Sequence, residues 1–217
     1  MVKQVSGKNL FDFDKTFNKT IIGTDEAGRG SAAGGVFASA VYFNNITAEL
    51  HENLFFLNDS KQLSPSKREY LFDFIQNETI NSTVCINVED IEKYNILNCS
   101  LLAMRQACNN VMSQIDFEDI LVLVDGNKLI KDFNYPQQCI IKGDCKSASI
   151  AAASILAKVN RDRYMKELGK DFAVYAWDKN AGYLTKEHLR AIDEYGLTVH
   201  HRKSFLQKHF KKQLKLF

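Results

Sequence analysis

Two adjacent carboxylates, Asp25 and Glu26, close an apolar run and open directly into the glycine-rich turn Gly28-Arg29-Gly30. Carboxylate oxygens are the ligands that hard divalent cations prefer. Glycine takes positive φ and lets a backbone come close to a ligand, and arginine pairs with phosphate through a planar fork. Together these parts point to a site that holds metal ions against a nucleic-acid backbone. Two further acids stand in a similar setting: Asp125 ends the apolar run Ile120–Val124, and Asp144 follows Gly143 after the short run Cys139–Lys142. Like charges raise one another's pKa, so four converging carboxylates call for cations. Two divalent ions about 4 Å apart activate a water and stabilise the oxygen that leaves a phosphodiester. Taken singly, each acid has a plainer use. Asp125-Gly126 reads as a turn, Asp144 as a helix cap, and Asp25-Glu26 as a solvated strand end. Their joint occurrence at strand ends favours the metal site.

These acids converge only if the strands bearing them lie side by side. Residues 20–26 read as a buried strand, Val36–Phe43 as a second, residues 82–88 as a third and Ile120–Val124 as a fourth, with a short strand at Cys139–Lys142. Helices are expected at 65–77, where Ser64 precedes Pro65, and at 96–114, where Leu97, Leu101, Met104, Cys108 and Val111 recur at helical spacing. A small-residue helix is expected at 146–167, and another at 185–195, closed by Gly196. Residues 48–58 are mixed. The alternation implies an α/β fold, a sheet covered on both faces. Strand ends in such a sheet can meet in one crevice. Strict pleating sends Asp25 and Glu26 to opposite faces, so a break in the pleat is expected where Gly28 and Gly30 follow.

The 217 residues fit one domain over 1–217, with a core at 20–205 and a basic amphipathic tail at 206–217. A formal net charge of +2 creates no global field for nucleic acid, so binding must use a local patch. The cysteines are odd in number and form no Cys-x-x-Cys pair, which argues against a disulfide framework and for a reducing cytoplasm. No apolar run approaches the roughly 20 residues that span a bilayer. The glycine turn lacks the lysine-serine/threonine ending of a P-loop, which disfavours a nucleotide binder.

Six segments, taken together, resemble the ribonuclease HII family. They are Gly23-Thr24-Asp25-Glu26-Ala27-Gly28-Arg29-Gly30, Asp59-Ser60-Lys61-Gln62-Leu63, Val124-Asp125-Gly126, the run from Lys142 to Met165, Gly182–Leu189, and His201-Arg202-Lys203-Ser204-Phe205. They occur in the family's order over about 23–205. The resemblance implies a ribonuclease H-like fold, with a mixed central β-sheet flanked by helices and a helical C-terminal segment. It implies an endonuclease that cuts RNA within RNA–DNA hybrids and 5′ to ribonucleotides embedded in duplex DNA. Mg2+ or Mn2+, as two divalent ions, would be held by Asp25, Glu26, Asp125 and Asp144. Arg29 sets the chain apart from the related ribonuclease HIII type. Prolines common in the family after the arginine turn are missing, with Ser31 and Gly35 in that region, and the tail has no complete clamp-binding box.

The resemblance gives Gly28, Arg29 and Gly30 the task of sensing a 2′-hydroxyl, which both donates and accepts hydrogen bonds. It assigns to Tyr183 packing on the following deoxyribose, where the residues alone favour a loop aromatic packed on the body. Lys61, Lys146 and Ser147 are candidate phosphate contacts. A lysine is more often simply exposed, and Ser147 serves equally well as a helix cap. Lys158, Arg161 and Arg163 read as a solvated helix face, His200-His201-Arg202-Lys203 as mainly structural, and His188 as a packing residue. The chain is expected to act as a monomer with no obligate protein partner. A non-catalytic hybrid-binding module would need one metal acid missing, and all four are present. The catalytic subunit of a larger complex is a third reading, separable by the size of the active species.

Overall fold

A computed structural model describes residues 7–54, 57, 64–116 and 118–213. Its centre is a mixed sheet built from β1 (Thr20–Ala27), β2 (Val36–Tyr42), β3 (Ile80–Ile86), β4 (Ile120–Asp125) and β5 (Gln137–Ile140), in the order β3-β2-β1-β4-β5. β1, β2 and β3 are antiparallel neighbours, while β1, β4 and β5 run parallel. The central strands are apolar on both faces because both are covered. Ile22, Val122 and Val124 pack under α5 (Ile96–Met112), and Ile21, Leu121 and Leu123 alternate to the other face. On that other face Ile150 joins Ile21 and Leu123 from α6 (Ala148–Asp171).

α6 lies close to the sheet because its first half is alanine and serine and because β1 has no side chain at Gly23. A methyl group at Gly23 would stand 2.2 Å from the Ser149 carbonyl carbon. Ser147 caps the helix, its hydroxyl accepting from the Ile150 amide at 3.2 Å. A second anchor comes from α1 (Gly7–Lys15): buried Asp14 accepts from the Ser149 amide at 2.9 Å and from its hydroxyl at 2.8 Å.

Sequence expectation and structure part at two strands. The third strand occupies 80–86 rather than 82–88, because Asn87 caps α4 (Val88–Tyr94) and Val88 belongs to that helix. The short fifth strand occupies 137–140 rather than 139–142, because Lys142 turns to φ +55 and starts a 3-10 turn at Gly143–Cys145. α2 (Ala48–Asn53) lies in the stretch that reads as mixed, and α3 (Pro65–Glu78) starts at the expected Ser64 cap.

After α6 come a 3-10 turn at Ala173–Tyr175, then α7 (Trp177–Asn180), α8 (Lys186–Tyr195) and α9 (Lys203–Gln213). Buried Trp177 and Tyr175 centre a separate cluster that takes in Leu206 and, partly buried, Phe210, so the described part of the tail packs on the body. Among the described residues no helix is long and apolar enough to cross a membrane.

Candidate active site

Parallel pairing of β1 with β4 stops at Thr24–Val124, one residue before Asp25 and Asp125. The pleat itself does not break. β1 stays in register with β2 through Ala27, contrary to the expected interruption. The strands part at this point, and the acids line the gap. Asp25, Glu26, Asp125 and Asp144 all line one cavity of about 210 Å3. Gly28, Arg29, Gly30 and Tyr183 form another part of its wall, with Ser154, Lys158 and Arg161 from α6. A larger cavity, near 660 Å3, opens at the far ends of the same strands around Thr20 and Asp119 and holds none of the four acids. Convergence of chemistry, not size, singles out the smaller one.

Asp25 is the most enclosed acid. Burial pushes its carboxyl well above the ordinary range, and the neighbouring Glu26 and Asp125 carboxylates push it the same way. The Ser154 hydroxyl and the Glu26 amide, 2.6 Å from Asp25 Oδ1, counter this only in part. Asp125 Oδ1 accepts the Gly143 amide at 2.7 Å, which ties the β4 end to the turn carrying Asp144. Among the described residues no three acid, histidine or cysteine side chains stand at metal-cage spacing, so the quartet lines the cavity without closing on its centre. An all-oxygen donor set in which two carboxylates drive up the proton affinity of a third suits a hard divalent cation.

The glycine turn is held by two arginines, Arg202, which reads from sequence as structural, and Arg161, which reads as part of a solvated helix face. Arg202 is fully buried and donates to the carbonyls of Gly28 at 2.7 Å, Gly34 at 2.8 Å and Gly35 at 2.9 Å. Arg161, also buried, donates to Ser31 Oγ at 2.6 Å, Ala33 O at 3.1 Å and Ala181 O at 3.0 Å. Gly28 sits at φ +96, and a methyl group there would meet Arg161 Nε at 2.0 Å. Arg161 thus belongs to the interior rather than to a solvated face. The sequence offers one clue, its helical spacing of four and seven residues from the small Ala157 and Ser154.

Arg161 also lies 5.8 Å from the centre of the Tyr183 ring. The Ala32 amide donates to Gly182 O at 2.9 Å, so the glycine turn and the Tyr183 turn are joined. A buried histidine pair fixes the second turn from behind. His188 Nδ1 lies 3.0 Å from Tyr183 O, and its Nε2 accepts from Trp177 Nε1 at 3.0 Å. His201 Nε2 is 3.1 Å from the same His188 Nε2, while His201 Nδ1 accepts from the Thr198 amide at 3.0 Å. Both rings are neutral in this arrangement. Burial, followed by the neighbouring histidines His188 and His200, pushes His201 down to about 4.

Of the expected substrate contacts, Gly28, Arg29, Gly30 and Tyr183 reach the cavity, and Tyr183 is 43% exposed, so its ring is available. Lys146 is exposed but outside the cavity wall. Ser147 is fully buried with its hydroxyl on the helix, so it caps α6 and does not contact phosphate. Lys61 lies outside the described residues.

A family model described as Ribonuclease HII matches residues 22–213. A Ribonuclease HII of Fusobacterium nucleatum subsp. nucleatum is 44% identical over 209 residues, covering 96% of this chain and 95% of the relative. The ribonuclease H2 structure from Pyrococcus horikoshii OT3 superposes with TM-score 0.67 at 23% identity, covering 87% of this chain and 96% of that one. Bst-RNase HIII in complex with Mn2+ superposes with TM-score 0.64 at 17% identity, covering 88% of this chain and 65% of that one.

Proposed function

The chain belongs to the ribonuclease HII family and is an endoribonuclease of the ribonuclease H class, and we propose that it cuts RNA–DNA hybrids and incises 5′ to single ribonucleotides embedded in duplex DNA. The observation that carries the reading is the meeting of four carboxylates and the Gly28-Arg29-Gly30 turn in one cavity.

Asp25, Glu26, Asp125 and Asp144 would hold two divalent cations, Mg2+ or Mn2+, as the Mn2+ complex of the structurally similar Bst-RNase HIII supports. Bound there, such ions would supply a water of lowered pKa and a place for the charge of the leaving oxygen. Water oxygen forms the new bond to phosphorus on the 5′ side of the ribonucleotide. The bond to the preceding O3′ breaks, leaving 3′-hydroxyl and 5′-phosphate ends.

The protein's own residues fix where this happens. Arg202 holds the Gly28 carbonyl directly and Arg161 holds the Ser31 hydroxyl that donates to the same carbonyl, so the turn's remaining polar groups meet the ribose in a set geometry. Arg29 adds a phosphate-pairing fork. Tyr183, its carbonyl tied to His188, sets an exposed ring where the next sugar would pack. Lys146 is a more distant backbone contact. The reading treats residues 1–217 as one catalytic domain acting as a monomer in the cytoplasm. Its direct test is cleavage of an RNA–DNA hybrid. Cutting in Mg2+ or Mn2+ that EDTA abolishes is the expected result, and no cutting in any divalent ion would overturn the reading.

A further inference from the structure

The backbone of the glycine turn has little freedom. Gly28 O takes both the Arg202 guanidinium and the Ser31 hydroxyl, the latter at 2.9 Å, and Ser31 is itself held by Arg161. The side chain of Arg29 is different. It is 48% exposed and rests on the carboxylate of Glu26, Nη1 to Oε1 at 2.9 Å, while Glu26 is only 12% exposed. Lys158, the other flexible cation on the cavity wall, is taken by Asp162 one helical turn away.

From this geometry, and resting on the metal-site reading above, we propose that Arg29 is an exchangeable counter-ion of the acid quartet. Its guanidinium occupies Glu26 until a divalent cation arrives, and then turns to a nucleic-acid phosphate. Both cations compete for one carboxylate, and a guanidinium cannot shed its charge to make room. A half-exposed side chain on a fixed backbone can swing out at small cost, and phosphate offers it a bidentate partner. Cation and nucleic acid then assist each other's binding by one and the same factor, because the coupling is reciprocal.

The test is Mn2+ binding, read by electron paramagnetic resonance of the free ion, for the wild type, Arg29→Gln, Arg29→Lys and Asp125→Asn. Each is measured alone and with an all-DNA duplex that cannot be cut. Free Arg29→Gln is expected to bind Mn2+ roughly two- to five-fold more tightly than wild type, as loss of a half-exposed pair implies. Arg29→Lys keeps the charge and should stay near wild type. The duplex should tighten Mn2+ binding in wild type and much less in Arg29→Gln. Equal or weaker binding by Arg29→Gln overturns the exchange. Absence of Mn2+ binding in wild type, or wild-type binding in Asp125→Asn, contradicts the metal-site reading itself.

Discussion

Asp125 shows what a single residue must do here. Its Oδ1 is fixed by the Gly143 amide, and its charge helps drive up the proton affinity of Asp25. Asparagine keeps the acceptor oxygen and removes the charge. Asp125→Asn is expected to lower the rate of hybrid cleavage by at least about 100-fold, the scale of losing one organised electrostatic contact. The melting temperature should hold or rise, since a repulsion is relieved. Full activity in a folded variant would remove Asp125 from the site. All four acids and the arginine turn were legible in the sequence, since a carboxylate at a strand end next to glycine is written in residue types. The buried place of Arg161 and the capping role of Ser147 were not, and Arg202 was readable as structural but not in what it holds. Burial decides their roles, and an arginine donating to carbonyls has the same letter as one in solvent.

At the scale of elements, the site depends on turns held by groups far away in sequence. Arg202 precedes α9 yet carries the carbonyls of Gly28, Gly34 and Gly35 in a place closed to water. Truncation removes a charged donor from all three acceptors. Gly34 O loses the guanidinium that holds it, while Gly28 O keeps the Ser31 hydroxyl and Gly35 O keeps Arg161 at 3.4 Å. Each hydrogen bond lost to a charged group costs about 1.5–3 kcal/mol. Arg202→Ala is therefore expected to lose about 3 kcal/mol or more of stability by denaturant unfolding. It should also discriminate poorly between ribonucleotide and deoxyribonucleotide. A loss below 1 kcal/mol would mean that the turn stands by itself. The strands carrying the acids were readable because their apolar runs are continuous. β3 and β5 were misplaced by two residues because they border the sheet. There Asn87 and Lys142, which divert the chain into a helix and a 3-10 turn, decide the ends. α1 was missed because its short sequence mixes charge and aromatic residues, and its role rests on the distant contact of Asp14 with α6.

For the molecule as a whole, the buried histidines link stability to pH. His201 is lowered to about 4 and His188 is lowered too, by burial, against an ordinary value of 6.5. Between these values the unfolded chain binds more protons than the folded one, so stability rises with pH there. The stabilisation is full above about 6.5 and is lost as pH falls toward 4. On the order of 2 kcal/mol should vanish between pH 7 and pH 5 for His201. Asp14 and Asp25, raised by burial, work in the opposite direction. The histidine share is therefore the difference in slope between wild type and His201→Asn, and identical slopes would exclude it. The same network reaches the site through His188 and the Tyr183 carbonyl, so acid should loosen the Tyr183 turn as the fold weakens. The central claim is that this frame sets a metal-loaded acid quartet beside a ribose sensor. It is tested most directly on duplex DNA with one internal ribonucleotide, with and without Mg2+ or Mn2+. The account predicts a single metal-dependent incision 5′ to the ribonucleotide, with 3′-hydroxyl and 5′-phosphate ends, and none in all-DNA duplex. An intact duplex under every divalent ion, or equal cutting of all-DNA duplex, would contradict it.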